Sequence, residues 1–248
     1  MVLETEGLVL KQTKYDDWDK ILTIFTRTNG KIQAIAKGAR RPKNSLIAGT
    51  QIFSYSNFLL YQGRNLYQVN QADIIESFFS LRDDLYKLAY ATYIIELIDA
   101  VAVEELSNVK LFDLSIKTLK VLSELKKDYK KLLLAFELKF VSFIGYRPYL
   151  RECIICKQEL TNRVKFSIEQ GGAICENCLS QGFFGYVVSK EIIKKIEELL
   201  YISLDNIEDL PISSKDINII DKIVLNYIMN HIEKRNFKSL EFLKSLEE

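Results

Sequence analysis

The hydrophobic period of this chain changes once, near Phe79, and that change restricts the fold to two dissimilar parts. Between residues 7 and 75, short β-branched and aromatic runs alternate with turn residues, the pattern of a small all-β domain. Strands are expected at 7–12, 21–26, 32–36, 52–61 and 66–74. Thr28-Asn29-Gly30 reads as a tight hairpin turn because Asn and Gly tolerate positive φ, and Gln62-Gly63-Arg64-Asn65 reads as a second. Five strands in roughly seventy residues suit an OB-type barrel, a Greek-key architecture whose face and loops commonly bind oligonucleotides. Residues 37–51, between the third and fourth strands, hold Gly38, Pro42 and Gly49 and show no period, so a long exposed loop is expected there.

From Ser80 onward the period is 3.6, with Ser80 as an expected N-cap and an acid in the first turn. Helices are expected at 81–103, 109–125, 128–144, 190–201 and 215–234; Gly145 and Pro148 end the third, and Ser213-Ser214-Lys215-Asp216 opens the fifth. Phe242, Leu243 and Leu246 form a short apolar tail able to dock. The expected class is therefore α+β and multidomain: an N-terminal OB-fold β-barrel over residues 1–79, an α-helical domain of 80–150 and 181–248, and a four-cysteine module inserted at 151–180. With 248 residues, 48% of them hydrophobic, there is ample core material, which excludes disordered and low-complexity classes. The greasiest stretch, 132–144, is interrupted by Glu137 and Lys139, so no membrane span is expected. An acidic start without a secretory apolar region leads to a cytoplasmic expectation.

In a reducing compartment, four cysteines point to metal before disulfides. Cys153-x-x-Cys156 and Cys175-x-x-Cys178 stand at the spacing of a four-thiolate zinc site, each pair forming a turn that aims two sulfurs at one point. Gly171-Gly172 supplies a bend between them. Four protein ligands leave no open position, so one structural Zn²⁺ per chain is expected. A redox dithiol pair and four free core thiols are the alternatives. The single histidine, His231, lies late in the fifth helix, where an imidazolium favours the C-terminal dipole, and it is assigned no function. Histidine-based catalysis thus has one candidate at most.

Charge is nearly balanced overall, 34 Lys and Arg against 33 Asp and Glu, but it is unevenly placed. Between Lys11 and Lys43, nine bases face only Asp16, Asp17 and Asp19, a local excess that suits a polyanion. Within it, Lys37-Gly38-Ala39-Arg40-Arg41-Pro42-Lys43 gathers four bases in a Gly- and Pro-containing loop. Guanidinium groups donate bidentately to phosphate, and glycine permits close backbone approach. A loop charged only for solvation is the competing reading. No phosphate-binding P-loop pattern occurs. Tyr15, Trp18, Phe53, Tyr55, Tyr61 and Tyr67 could stack on unpaired bases, although most are expected in the core, and Trp18 stands among three aspartates that phosphate would avoid. Tyr86, Tyr90 and Tyr93, at helical spacing, are expected to pack.

The order of parts and several local words resemble the RecO family of bacterial DNA repair proteins. Those words are Gly7-Leu8-Val9-Leu10-Lys11, the run from Asp19 to Thr26, Gly30-Lys31 and Ala36-Lys37-Gly38-Ala39-Arg40-Arg41-Pro42. Further on come Ser80-Leu81-Arg82-Asp83-Asp84-Leu85, Glu96-Leu97, Gly145-Tyr146-Arg147-Pro148 and the two cysteine pairs. The resemblance implies a mediator of homologous recombination in the RecF pathway, associated with the nucleoid. It implies binding of single- and double-stranded DNA, annealing of complementary strands and, with RecR, assistance to RecA in displacing single-strand-binding protein (SSB). It also implies that the helical domain takes the C-terminal tail of SSB in an apolar groove edged by Lys or Arg. None of these steps is covalent chemistry, so no enzyme is expected. Lys31, Lys37, Arg40, Arg41 and Lys43 are the candidate DNA-binding residues. Some family members lack the cysteines, which argues against the metal as the seat of activity.

Two other classes compete. A zinc-ribbon scaffold would use the cysteine module and helices to bind proteins, and salt-dependent DNA affinity would argue against it. A nuclease would need a clustered Asp/Glu/His set for two metals, and no such cluster is evident in the sequence.

Overall fold

The computed structural model describes residues 2–234 and 236–247. Strands β1 (Val2–Lys14), β2 (Lys20–Thr26) and β3 (Gly30–Ala36) are followed by a short helix α1 (Leu46–Gly49), then β4 (Tyr55–Gln62) and β5 (Tyr67–Glu76). They close into a barrel in the order β1-β2-β3-β5-β4. All pairings are antiparallel except β3 with β5, which are parallel over Ala34↔Tyr67 and Ile35↔Gln68. Period-2 alternation turns Leu22, Ile24, Ile32, Ala34, Phe58 and Leu60 into the barrel, and Leu46 from α1 joins the same cluster. Each large apolar side chain buried this way contributes about 1.5–3 kcal/mol.

Two expectations change here. β1 is longer than residues 7–12 because it serves two partners: Val2 to Leu8 pair with β4, and Gly7 to Lys14 pair with β2. A register shift between Val9 and Lys11 lets the strand bend from one to the other. The loop at 37–51 is not wholly irregular, since it contains α1, whose Leu46 plugs the barrel.

The long helix expected at 81–103 is divided. α2 (Ser80–Asp83) ends at Asp84, which is extended at φ −119°, and α3 (Leu85–Val101) begins after it. Asp84 is the true cap, its carboxylate accepting from the Lys87 N–H at 3.0 Å, while Ser80 lies inside α2. α4 (Val109–Glu124) and α5 (Tyr129–Phe143) follow. The cysteine region carries three strands that helical periodicity does not reveal: β6 (Arg163–Ser167), β7 (Gly172–Cys175) and β8 (Gly185–Ser189), in the order β7-β6-β8. β8 lies beyond residue 180, so the sheet carrying the cysteines runs past the expected end of the module. α6 (Lys190–Tyr201), α7 (Ser214–His231) and α8 (Lys238–Glu247) complete the chain.

Contacts divide the chain into Met1–Glu124 with Phe237–Glu248, and Leu125–Asn236. In the first unit, α8 returns onto α3: Phe237 meets Tyr93 edge-on at 5.9 Å, Leu243 is buried, and the Ser239 N–H donates to Glu96 at 3.1 Å. Of the apolar tail, Leu243 docks and Phe242 stays exposed. Also in this unit, the segment after α3 lies along β3, with the Lys31 N–H donating to the Val103 carbonyl at 3.0 Å. Gly30 sits there at φ +61°, and a Cβ would stand 2.4 Å from the carbonyl oxygens of both Val103 and Leu106. Tyr90 and Tyr93 pack inside, and Tyr86 is exposed.

Candidate nucleic-acid interface and metal centre

The basic loop leaves β3 through Gly38, whose φ of +67° is the left-handed conformation glycine accepts freely. Its N–H donates to Asp19 Oδ1 at 2.7 Å, so this aspartate fastens the loop to the end of the β1–β2 turn. Arg40 continues the clasp. Its backbone N–H donates to the Trp18 carbonyl at 3.0 Å, and its guanidinium donates to the carbonyls of Asp17 at 2.9 Å and Asp16 at 3.2 Å. Arg41 places its guanidinium 6.0 Å from the centroid of the Trp18 ring. Lys37, Arg41 and Lys43 are exposed, Lys43 at φ +66°, and none has an ion pair among the described residues.

The five sequence candidates are therefore not equivalent. Lys31 lies at the other end of β3, about 20 Å from Lys37 at strand rise. Its ammonium donates to Asp99 at 3.2 Å and to the Asp99 backbone carbonyl at 2.7 Å, tying the barrel to α3. Arg40 braces one loop against another. Lys37, Arg41 and Lys43 keep their charge toward solvent. Together with Lys14, Lys20 and Arg40 they make six cations at the end of the β1–β2–β3 edge, a rim that also carries Asp16, Asp17 and Asp19. Lys20 is buried, with its ammonium donating to Gln12 at 2.9 Å; burial and then the nearby Arg40 charge lower its pKa. An anion seated on this rim would relieve that crowding of like charge.

Sequence reasoning missed the coupling of the two loops, because Asp16, Asp17 and Asp19 read as repulsion. In the fold, Asp16 and Asp17 offer backbone carbonyls to Arg40, and the Asp19 carboxylate meets an N–H. Among the aromatic candidates, Phe53 is fully buried, Tyr55 donates to Glu6 at 2.6 Å, and Tyr15, Trp18 and Tyr61 are exposed.

The four cysteines converge in the second unit. Cys153 opens a tight turn in which the Lys157 N–H donates to the Cys153 carbonyl at 2.9 Å, with Lys157 at φ +59°. Cys175 ends β7, and a 3₁₀ turn over Glu176–Cys178 brings Cys178 alongside it. All four Sγ atoms lie within 4.8 Å of one another, the Cys156–Cys175 pair at 3.6 Å, and all are free thiols. Four thiolates about 2.3 Å from one tetrahedral ion stand about 3.8 Å apart, so the cluster fits such an ion. Burial alone would raise the Cys153 thiol, but backbone N–H groups of Cys156, Cys175 and Ile155 outweigh it and bring its pKa to about 6. Cys178 is pushed up to about 12, by burial and then by its three sulfur neighbours. The spacing of the four sulfurs is consistent with a structural metal.

Family models cover both parts of the chain. The model described as recombination protein O N terminal matches residues 1–78, and that described as recombination protein O C terminal matches residues 82–241. The chain belongs to the RecO family. A DNA repair protein RecO of Alkaliphilus metalliredigens is 40% identical over 246 residues, covering 99% of this chain and 100% of the relative. Those of Acetivibrio thermocellus and Clostridium perfringens are each 33% identical, covering 99% and 100% of this chain and 97% and 99% of theirs. Membership in the RecO family assigns the chain a role in DNA repair and recombination. No helix among the described residues is long and apolar enough to cross a membrane.

Proposed function

We propose that this protein is a recombination mediator that binds single- and double-stranded DNA, anneals complementary strands and, with RecR, helps RecA load on SSB-coated DNA. The single observation that carries the DNA reading is the solvent-facing set Lys37, Arg41 and Lys43 on a loop braced by Arg40 at the rim of a closed five-stranded barrel. Phosphate contacts from such a set hold a strand without reading its bases. Neutralised phosphates repel less, while base edges stay free to pair, so annealing needs no covalent step and the protein acts without catalysis. The metal at Cys153, Cys156, Cys175 and Cys178 is zinc, bound for structure. The SSB tail engages the helical part of the chain, and the protein works in the cytoplasm on the nucleoid.

The experiment is annealing of complementary oligonucleotides coated with SSB. Intact SSB should support faster annealing than SSB lacking its C-terminal tail, and the Lys37, Arg41 and Lys43 neutralised variant should be slow with either. A protein that neither binds DNA nor accelerates annealing overturns the proposal and leaves the zinc-ribbon scaffold in its place.

A further inference from the structure

The exposed aromatic surface beside the basic loop has no role in a purely phosphate-binding site. Trp18 is the only tryptophan of the chain and is 46% exposed; Tyr15, on the same β1–β2 turn, is 62% exposed. A side chain of this size normally hides its ring, and here the fold holds it at the surface. The turn is closed by the Tyr15 N–H donating to the Asp19 carbonyl at 3.2 Å, and Arg40 clamps the backbone at Asp16, Asp17 and Trp18. The fixed part of Trp18 is thus its main chain, while the indole is left beside a cation. The Arg41 guanidinium at 6.0 Å is at the outer limit of a cation–π contact, so it flanks the ring more than it covers it.

Three aspartates in the turn argue against a polyanion only if their charges face it uncompensated. Asp19 is bonded to the Gly38 N–H at 2.7 Å, Asp16 accepts from the Asp17 N–H at 2.7 Å, and the Arg40 guanidinium lies against the carbonyls of Asp16 and Asp17. The Asp16 carboxylate therefore serves the turn itself and that of Asp19 ties the turn to the basic loop, within a rim that carries six cations. This is the composition of a single-strand site: a positive track for phosphates with an aromatic face for bases.

We infer that Trp18 is a base-stacking platform which, flanked by Arg41, makes this rim prefer single-stranded over double-stranded DNA. A base in a duplex already has both faces stacked and offers none to an indole. An unpaired base on the strand held by Lys37, Arg41 and Lys43 offers a free face. The inference rests on the proposed DNA-binding reading and adds to it the residue that separates single from double strands.

The test uses the intact protein, a fluorescein-labelled dT oligonucleotide and a labelled hairpin duplex. Anisotropy reports binding, and because Trp18 is the only tryptophan, emission excited at its red edge reports that residue alone. The expected result is that unlabelled dT quenches Trp18 with the midpoint seen by anisotropy and that the duplex quenches little. Trp18→Ala should weaken dT binding roughly 5- to 150-fold, the range of one lost base–aromatic stack, and change duplex binding less than about twofold on the same basis. Trp18→Phe should recover most of the dT affinity. Unaltered circular dichroism and melting temperature in Trp18→Ala would show that the barrel is intact. Binding by anisotropy with silent Trp18 emission, or equal losses for dT and duplex, overturns the inference while leaving DNA binding in place. Failure of both probes to bind overturns the DNA-binding reading itself, and this inference with it.

Discussion

Lys37, Arg41 and Lys43 should set the salt dependence of DNA binding, and Lys31 should not contribute. The perturbation is a triple variant, Lys37→Gln, Arg41→Gln and Lys43→Asn, the last chosen because Asn tolerates the left-handed φ of +66° at that position. For single strands, log affinity falls with log salt by about 0.7 per phosphate contact, so three contacts contribute a slope of about 2.1. Between 50 and 200 mM salt that slope alone lowers affinity about 20-fold. Anisotropy titrations of a labelled dT oligonucleotide across this range should show the triple variant losing about two units of slope. Lys31→Gln is the control, because Lys31 is held by Asp99 at 3.2 Å and has no free charge to offer. Its slope should match the parent, and its cost should fall on stability, at most about 1 kcal/mol for a partly exposed pair. A triple variant with the parent slope, or a Lys31→Gln variant that flattens the slope as much, would refute the assignment of phosphate contacts to this loop.

Much of the barrel was legible because period-2 alternation in Ile21 to Thr26 and Ile32 to Ala36, with Asn29-Gly30 between, leaves one register in which Leu22, Ile24, Ile32 and Ala34 face inward. β1 begins at Val2, well before the expected residue 7, although Glu4 and Glu6 interrupt its apolar run. Their backbone nonetheless pairs with β4 at Leu59 and Asn57, and strand pairing needs a partner edge more than it needs apolar side chains. The break at Asp84 was hidden by continuous 3.6 periodicity on either side. A β-region aspartate that caps Lys87 costs the pattern only one residue. β6 and β7 escaped because four- and five-residue strands around a metal site carry too few positions for any period.

The site divides along the same line. Each cysteine pair is local, so its turn was legible; the β6–β7 hairpin and the Ile154 N–H donating to the Ala173 carbonyl at 2.9 Å then bring the two pairs together, with all four sulfurs within 4.8 Å of one another. The basic loop was visible as composition, but composition cannot say which cations are already engaged. Asp99 is 68 positions from Lys31, and the carbonyls that hold Arg40 are 23 and 24 positions away. Only the fold separates charges that brace the barrel from charges free for a ligand, and it also turns Trp18 from an apparent misfit among aspartates into a presented ring.

Three further outcomes follow from particular contacts. Cys175→Ser should abolish binding of one zinc per chain and unfold the β6–β8 sheet while the barrel stays folded, because zinc in such modules contributes about 10–16 kcal/mol in peptide hosts; metal analysis with hydrogen exchange at Phe166 and Ile174 decides it, and a metal-free wild-type sheet that is fully protected would refute it. Gly30→Ala should cost more than the ~1 kcal/mol of a helical glycine change, since φ is +61° and the new Cβ would meet two backbone oxygens at 2.4 Å; a denaturant midpoint equal to the parent would mean the segment after α3 moves aside freely. The last concerns Asp216, whose carboxylate accepts from Lys195 at 2.6 Å and from Ser213 at 2.7 Å, hydrogen bonds that hold its pKa below the ordinary value of 3.8, Lys195 contributing first. A depressed folded pKa means the unfolded chain takes the proton first, so the contribution to stability is complete above pH 3.8 and is lost as pH falls through the lower folded value. Melting temperatures of the parent and Asp216→Asn should therefore differ most near neutrality and converge as pH falls below 3.8. A difference that stays constant over that range would mean the carboxylate charge does nothing that its amide cannot, and that Ser213 and the helix N-terminus alone anchor the start of α7.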